Sequence, residues 1–264
     1  MILVDLNQVM ISNLMGQLHS SRTNEVDEDL LRHMVLNGIR SYRNKFSEEY
    51  GELVICCDDT NNWRKDSFPY YKAHRKTNRD ESDLDWPNIF NCLNAIRDEL
   101  KEFFPYKHIR VNRCEADDII GTLAEYSQTH GTSPEESGQL PFDEHIPDPF
   151  LIVSGDHDFK QLQKWANVKQ WAPAQKKWVK IKQPASEVLL EHIIRGDKGD
   201  GVPNVLTDDD AIVEGKRQRP IQSKKLEAWK SNPTEMPQDS GFVRNFERNQ
   251  TLVDLSRIPN NIEE

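Results

Sequence analysis

Short apolar runs alternate with amphipathic segments over the first two thirds of the chain. Four apolar runs predict buried strands at residues 2–6, 53–57, 108–111 and 149–153. The segments between them carry apolar residues at intervals of three and four, which predicts helices over 26–50, 86–104 and 115–127. Because strands that alternate with helices form parallel sheets with both faces covered, the pattern predicts an α/β fold with a mostly parallel central sheet flanked by helices.

The pattern changes in the last third of the chain, where helices dominate. The segment ASEVLLEHIIRG predicts a helix with Ser186 as its N-cap and Gly196 just past its end. A later helix is predicted at about 241–254. We therefore expect an α/β domain at residues 1–183 and a small C-terminal helical region at 184–264.

Composition narrows the class of protein without identifying a partner. The 264 residues carry a formal net charge of −10, but acidic and basic residues are sorted into separate segments, so this sum excludes no polyanionic partner. The four cysteines lack zinc-ligand spacing, and no run approaches the roughly 18 apolar residues of a membrane span. The first eleven residues, interrupted by Asp5, predict a strand. We expect a reduced, cytoplasmic setting, with an exposed, mobile acidic loop at 131–148.

Carboxylates follow each predicted strand. They are Asp5, Asp58, Asp59, Asp156 and Asp158 after strands, Glu115, Asp117 and Asp118 at a helix start, and Asp197 and Asp200 in RGDKGDGV. Each group alone is more often a turn former or a helix cap. Because ligands bind at the carboxyl ends of parallel strands, we expect the groups to converge, and so many like charges in one cleft require divalent cations. Oxygen ligands without a Cys or His set predict Mg²⁺ or Mn²⁺, with Asp156 and Asp158 facing different ions.

Three basic segments accompany the acids. The first, WRKDSFPYYKAHRKTNR at 63–79, interleaves cations with aromatic residues, which is typical of single-strand binding, although a solvated helix explains it equally well in isolation. Helical spacing predicts one stripe of Lys72, Arg75, Lys76 and Arg79. The second segment, 164–182, predicts a hairpin whose tryptophans either serve binding or cover a sheet edge. The third, 214–225, is expected to be irregular and to contact a duplex backbone.

Several motifs occur in a fixed order: LVDLNQ, WRKDSFPYYKAHR, CEADDIIGTLAE, SGDHDFKQL, RGDKGDGV and NQTLVDLSRIPNNI. In this order they resemble the flap-endonuclease superfamily of 5′ nucleases, and within it the ribonuclease H branch of T-even-type bacteriophages. The resemblance implies a PIN-like nuclease core. It also implies hydrolysis of phosphodiester bonds in RNA–DNA hybrids and in duplex or flap DNA, with primer removal during phage-type replication in the cytoplasm of an infected bacterial host.

The resemblance further implies roles for individual residues. It implies two Mg²⁺ ions, for which Mn²⁺ can substitute. The first ion is assigned to Asp5, Asp58, Asp117 and Asp156, the second to Asp158, Asp197 and Asp200, and water bridging to Glu115 and Asp118. Catalytic positions at the base of a basic arch, residues 62–82, match Arg64, Tyr71 and Lys72. Nucleic-acid contacts are expected from Lys65, Arg75, Lys76, Arg79, Lys216 and Arg217.

Two features depart from the family pattern. The segment GDGVPNVLTDDDAIVEG does not reproduce the Gly-rich turn that grips a duplex through a monovalent cation, so potassium binding is not expected. The chain ends soon after SRIPNN, so part of a duplex-binding or protein-docking surface is expected to be missing. It begins almost at its first strand, so no N-terminal clamp-docking peptide is expected. The partners implied are a single-stranded-DNA-binding protein or a sliding clamp, bound by a monomer.

Two alternatives remain open on the sequence. A PIN-type ribonuclease shares the acids, but such domains are shorter and lack a basic arch. It would cleave plain single-stranded RNA without a duplex junction. A catalytically inactive nucleic-acid-binding module would leave the acids unexplained, and Mg²⁺ would then change affinity without any product.

Overall fold

A computed structural model describes residues 1–130, 147–259 and 262. The chain forms two compact units. The first comprises Met1–Thr60 and Asp83–Lys180, and the second comprises Asn61–Ser82 and Ile181–Glu264. The predicted domain boundary at residue 183 stays a prediction. The two units differ from the predicted domains chiefly because the basic segment 61–82 belongs to the second unit. Most of the acidic loop predicted at 131–148 lies outside the described residues.

A six-stranded sheet forms the centre of the first unit. Its strands are β1 Ile2–Asp5, β2 Leu53–Cys56, β3 Lys107–Ile109, β4 Phe150–Val153, β5 Val168–Ala172 and β6 Lys177–Val179. They lie in the order β3-β2-β1-β4-β5-β6, and every neighbouring pair is parallel except β5–β6. Strands β1, β2 and β4 are buried along their whole length. The predicted mostly parallel α/β sheet is confirmed.

The helices of the described part lie in both units. They are α1 Leu6–Ser21, α2 Glu28–Tyr50, α3 Trp63–Ser67, α4 His74–Asp80, α5 Trp86–Phe103, α6 Ala116–Tyr126, α7 Ala185–Arg195, α8 Ser223–Ser231 and α9 Ser240–Val253. Short 3₁₀ helices cover Asp158–Lys164 and Pro233–Glu235. Helices α2, α5, α6 and α9 match the predicted ranges to within two residues at each end. None of the helices in the described residues is long and apolar enough to span a membrane.

Helix α1 corrects the strand predicted for the first eleven residues. Strand β1 ends at Asp5, whose carboxylate accepts a hydrogen bond from Gln8 N (3.1 Å) and caps the helix. The apolar residues beyond it have helical spacing and are buried: Leu6, Val9, Met10 and Leu14. The cap therefore ends the strand, because its side chain satisfies a backbone donor that only a helix start exposes.

The second unit has its own apolar core. This core consists of Ile194, Val205, Leu226, Trp229, Met236 and Phe242. Ser186 is not the N-cap of α7, because Pro184 occupies that position without a side-chain cap and its fixed φ leads the chain into the helix two residues earlier. The segment predicted as irregular at 214–225 runs into helix α8, which begins at Ser223.

The tryptophans of the β5–β6 hairpin cover the edge of the sheet. Trp171 is buried, and its ring centroid lies 5.4 Å from that of Phe46 and 5.3 Å from that of Trp178. Lys45 Nζ lies 3.5 Å from the centroid of the Trp171 ring. These contacts support the edge-covering alternative for this segment. The four cysteines are free and buried.

Candidate active site

The order of the strands places Asp5 and Asp156 beside each other. The chain runs from β1 to β2 and β3 on one side, and then returns to β4 on the other side of β1. The carboxyl ends of β1 and β4 therefore border the switch point, where ligands bind in open α/β sheets. Asp5 ends β1, and Asp156 follows β4 by three residues. The sheet topology thus accounts for two of the predicted ligands.

Hydrogen bonds fix the acids around this switch point. Ser154 Oγ donates to Asp5 Oδ2 (3.0 Å) and accepts from Asp156 N (3.1 Å). Asp156 Oδ1 accepts from Asp158 N (3.0 Å), which closes the tight turn that carries both acids. Gln170 Nε2 donates to the carbonyls of Ser154 (3.0 Å) and Asp156 (2.7 Å). The turn after β4 is therefore held rigidly from the neighbouring strand β5.

Asp58 joins the same group of acids from the loop after β2. Its carboxylate accepts hydrogen bonds from Ala116 N (2.8 Å) and from Asn7 Nδ2. These bonds connect the loop to the starts of helices α6 and α1. Asp59 points elsewhere, because its carboxylate accepts from Arg110 (2.8 Å) and from Arg113 N (2.9 Å). The structure thus separates the two adjacent aspartates into a site residue and a loop-holding residue.

The electrostatics of the first unit show that the acids face one another. Burial, together with the charges of Asp58 and Asp156, raises the pKa of Asp5 to about 7. Burial also raises the pKa of Asp117 well above its ordinary value, with added repulsion from Asp156, Asp5 and Glu115. Carboxylates that repel each other in this way are costly unless cations accompany them. We call Asp5, Asp58, Asp117 and Asp156 the carboxylate cluster.

Glu115 and Asp118 form the N-terminal cap of helix α6. Asp118 Oδ2 accepts from Glu115 N (2.9 Å), and the Glu115 side chain accepts from the backbone N–H of Asp118 in return. Such a capping box is a structural role that the sequence left open. It also holds the first turn of α6, which contains Asp117.

The carboxylate cluster fits divalent ions by the chemistry of its donors. Its members offer only oxygen atoms, which hard cations such as Mg²⁺ and Mn²⁺ prefer. Burial and the neighbouring carboxylates both raise the pKa values of Asp5 and Asp117, and a bound dication would offset both effects. The cluster therefore supports the predicted metal centre in the first unit.

The second unit carries the other predicted acids on the loop after α7. Two glycines with positive φ bracket this loop, Gly196 (φ 67°) and Gly201 (φ 76°). A Cβ on Gly196 would lie 2.4 Å from Val202 O, so only glycine fits there. Asp197 Oδ1 accepts from Asp200 N (3.0 Å). The motif RGDKGDGV is thus a tight loop that presents both carboxylates.

His192 orients Asp197 from within helix α7. The buried His192 Nε2 lies 3.2 Å from Asp197 Oδ2. Burial alone would raise the pKa of Asp197, but the hydrogen bond and charge of His192, with backbone hydrogen bonds, lower that pKa to about 2. His192 was not among the residues predicted from the sequence, because its contact with Asp197 depends on the fold of the following loop.

Asp200 contacts three residues of the basic segment. Its Oδ2 accepts from Tyr71 Oη (2.7 Å) and lies 3.4 Å from Lys72 Nζ, while Oδ1 accepts from Arg75 Nη2 (2.6 Å). Lys72 has a left-handed backbone (φ 55°) and precedes helix α4. The predicted helical stripe is therefore wrong for Lys72, because Asp200 O accepts from its backbone N–H (2.7 Å) in a turn. Tyr71 and Lys72 both contact the Asp200 carboxylate, and their catalytic role stays a prediction.

Arg64 lies in the interior of the second unit. It is 2% exposed, its Nε donates to Leu252 O (2.9 Å), and its guanidinium lies over the Trp63 ring. The remaining predicted nucleic-acid contacts lie at or near the surface: Lys65, Lys76, Arg79, Lys216 and Arg217. Lys216 Nζ donates to Asp210 Oδ2 (2.7 Å). The role of Arg64 beside Tyr71 and Lys72 stays a prediction.

The fold and the carboxylate cluster define a class of protein, and comparison with known proteins agrees. Residues 1–189 match the model of the 5′-3′ exonuclease N-terminal, resolvase-like domain. The chain belongs to this 5′-3′ exonuclease family, and it is a metal-dependent 5′ nuclease, a hydrolase of phosphodiester bonds.

Particular relatives support the same family. The chain is 32% identical over 271 residues to the ribonuclease H of Enterobacteria phage T4. This alignment covers 98% of this chain and 82% of that protein. Its fold is similar to a zinc-bound T5 5′-exonuclease, with a TM-score of 0.67, 15% identity and 97% and 89% of the two chains covered. It is also similar to a T5 flap endonuclease variant in complex with DNA and metal ions, with a TM-score of 0.63, 14% identity and coverage of 99% and 94%. At these identities the two solved structures show the fold alone.

Proposed function

We propose that this nuclease removes 5′-terminal nucleotides and flaps from RNA–DNA hybrids and from duplex DNA. The carboxylate cluster at the β1–β4 switch point is the observation that carries this proposal. The relationship to a phage ribonuclease H and the T5 flap endonuclease–DNA complex support the choice of substrates. The biological role that follows is primer removal during phage-type replication in the cytoplasm of an infected bacterial host.

We further propose that two Mg²⁺ ions serve the reaction and that Mn²⁺ can replace them. Asp5, Asp58, Asp117 and Asp156 are the proposed ligands in the first unit, where their mutual repulsion supports the assignment. Asp158, Asp197 and Asp200 are proposed as further ligands, with Glu115 and Asp118 orienting waters. When bound, divalent ions lower the pKa of a water and stabilise charge on phosphate oxygens.

The residues of the chain position the phosphate for this reaction. We propose that Tyr71 and Lys72 donate to the scissile phosphate, because their donor atoms already contact a carboxylate in the second unit. A lysine ammonium there stabilises negative charge as it develops. Arg64 is proposed to hold the basic segment by its bond to Leu252 O. Lys65, Lys76, Arg79, Lys216 and Arg217 are proposed to contact the nucleic-acid backbone.

A direct assay tests this function. A 5′-labelled flap substrate and a nicked RNA–DNA hybrid are incubated with the protein in Mg²⁺ and in EDTA. We expect short 5′-phosphorylated products in Mg²⁺ alone. Asp117→Asn is expected to abolish cleavage yet bind the flap in EDTA at least as tightly as the wild type, because like-charge repulsion is reduced.

The same assay separates the alternatives. Cleavage of plain single-stranded RNA without a junction would favour the PIN-type ribonuclease. Binding that responds to Mg²⁺ without any product would indicate the inactive binding module. Full activity of Asp117→Asn would contradict the metal centre proposed here.

A further inference from the structure

Arg75 contacts the acidic loop of the second unit at two points. Its Nη2 donates to the Asp200 carboxylate (2.6 Å), and its Nε donates to the backbone carbonyl of Gly199 (3.1 Å). One planar guanidinium therefore fixes both a side chain and the backbone that precedes it. Lysine cannot reproduce this geometry, because all its N–H donors lie on one nitrogen atom, whereas a guanidinium presents donors from several nitrogens in a rigid plane.

The rest of the loop also packs closely on the segment that carries Arg75. Lys72 N donates to Asp200 O (2.7 Å). A Cβ on Gly201 would lie 3.0 Å from both Tyr70 O and His74 Nδ1, so glycine permits this approach. The orientation of the Asp200 carboxylate is thus set by residues of the segment 70–75.

We propose that Arg75 is a positioning residue that holds Asp200 in the orientation needed for a divalent ion. This inference rests on the metal role proposed above for Asp200. It differs from the expectation that Arg75 only contacts nucleic acid. Hydrogen-bonded partners of metal-binding carboxylates orient their lone pairs, and their loss typically costs about 10–100-fold in metal affinity or activity.

Charge and orientation predict opposite effects of removing Arg75. A nearby cation repels a metal ion, so a guanidinium that acts only as a counter-ion would weaken metal binding, and its removal would tighten it. A guanidinium that orients the carboxylate has the reverse effect. The sign of the change therefore decides between the two roles.

The test uses the full-length, DNA-free protein and Mn²⁺ titration followed by electron paramagnetic resonance. Asp200→Asn first identifies the bound ion that depends on Asp200. Arg75→Ala is expected to lower the affinity for that ion about 10-fold or more. Arg75→Gln, which keeps a donor without the charge, is expected to lower this affinity less. Cleavage by Arg75→Ala should need a correspondingly higher Mg²⁺ concentration and recover at saturation.

Arg79→Ala is the matched control, since Arg79 lies on the same helix four residues later. It should weaken flap binding in EDTA and reduce its salt dependence while leaving the Mn²⁺ titration unchanged.

The proposal is overturned if Arg75→Ala behaves like Arg79→Ala, or if it binds Mn²⁺ more tightly than the wild type. An unchanged titration for Asp200→Asn would instead overturn the metal role of Asp200 itself. Each variant must show the same near-ultraviolet circular dichroism spectrum as the wild type. If Arg75→Ala does not fold, Arg75→Gln decides the question.

Discussion

Asp5 contributes to the fold and to the proposed metal centre with one carboxylate. One oxygen caps helix α1 through Gln8 N, and the other accepts from Ser154 Oγ. Because both oxygens are hydrogen-bonded, the group cannot rotate away from its charged neighbours, and its pKa rises on burial. The carboxylate is thereby held in position before any ion arrives, which reduces the reorganisation that binding requires.

At this scale the sequence identifies the acids but not the residues that orient them. Asp5, Asp58 and Asp156 are recognisable because each follows a buried apolar run. Ser154 bonds to Asp5 across 149 positions of the chain, and nothing local to the serine indicates this. His192 likewise becomes informative only when the fold of the following loop is known.

Lys72 is expected to act on the chemical step. Lys72→Ala should lower the single-turnover cleavage rate about 10²-fold or more, because an electrostatic stabiliser of the scissile phosphate is lost. Lys76→Ala is the control, since it removes an exposed cation of the same segment. It should chiefly weaken binding. Equal losses in the chemical step for both variants would rule out the role proposed for Lys72.

Among the elements, helix α4 has few contacts that order it. It has seven residues, none of them buried, and no side-chain cap. A helix this short is marginal unless tertiary packing supports it. Its start is held through Arg75, whereas the residues after it carry further cations that repel one another. The second half of the helix is therefore the part that a bound phosphate backbone would stabilise.

Hydrogen exchange measures this difference. Amides of residues 76–82 should exchange fast in the free protein, because none of the residues of α4 is buried, and slow down with a flap substrate in Ca²⁺, because a bound phosphate backbone adds contacts to this exposed helix. Helix α9, with its buried residues, should be protected in both states. Strong protection of 76–82 without DNA would show a preformed helix and contradict the expectation.

Elements with strong periodicity could be predicted from the sequence, and those begun by unusual caps could not. Helices α2 and α5 carry long amphipathic patterns and were located almost to the residue. Helix α1 was missed because its apolar residues continue directly from those of β1, which hides the change of period at Asp5. The true start of α7 depends on Pro184, whose backbone outweighed the better capping side chain of Ser186.

For the whole molecule, the carboxylate cluster links stability to pH and to metal. The folded pKa of Asp5 is about 7 against an ordinary value of 3.8, and that of Asp117 is also raised. Groups raised in this way contribute stability fully below about pH 4, and it is lost as pH rises through about 7. The pKa of Asp197 is lowered from 3.8 to about 2. Asp197 therefore contributes stability above about pH 4, and this stability is lost as the pH falls toward 2.

Thermal unfolding tests this linkage. In EDTA, the melting temperature should fall by roughly 5–10 °C between pH 5 and pH 8, since each unit of pKa shift corresponds to about 1.4 kcal/mol. Mg²⁺ should restore much of the loss at pH 8 and have little effect at pH 5. Asp117→Asn should show a smaller fall in EDTA. A pH-independent melting temperature in EDTA would be inconsistent with buried, mutually repelling acids.

The division into units was only partly accessible to the sequence. The change from strands to helices near residue 183 is visible in the pattern, and the units divide close by, at 180 and 181. The placement of 61–82 in the second unit depends on contacts such as Arg64 with Leu252 O, which span 188 positions. Long-range pairings of this kind leave no periodic signal.

The position of β1 in the sheet has a consequence for the order of synthesis. Strand β1 is made first, pairs with β2 after about 50 residues, and meets its other neighbour β4 only when residue 150 has emerged. At translation rates of about 5–20 residues per second, the second pairing follows the first by roughly 5 to 20 seconds. During this interval one edge of a strand that is fully buried in the folded protein is open on the ribosome to chaperones or to the strand of another nascent chain. The nuclease acquires its metal-binding edge only after that vulnerable period has ended.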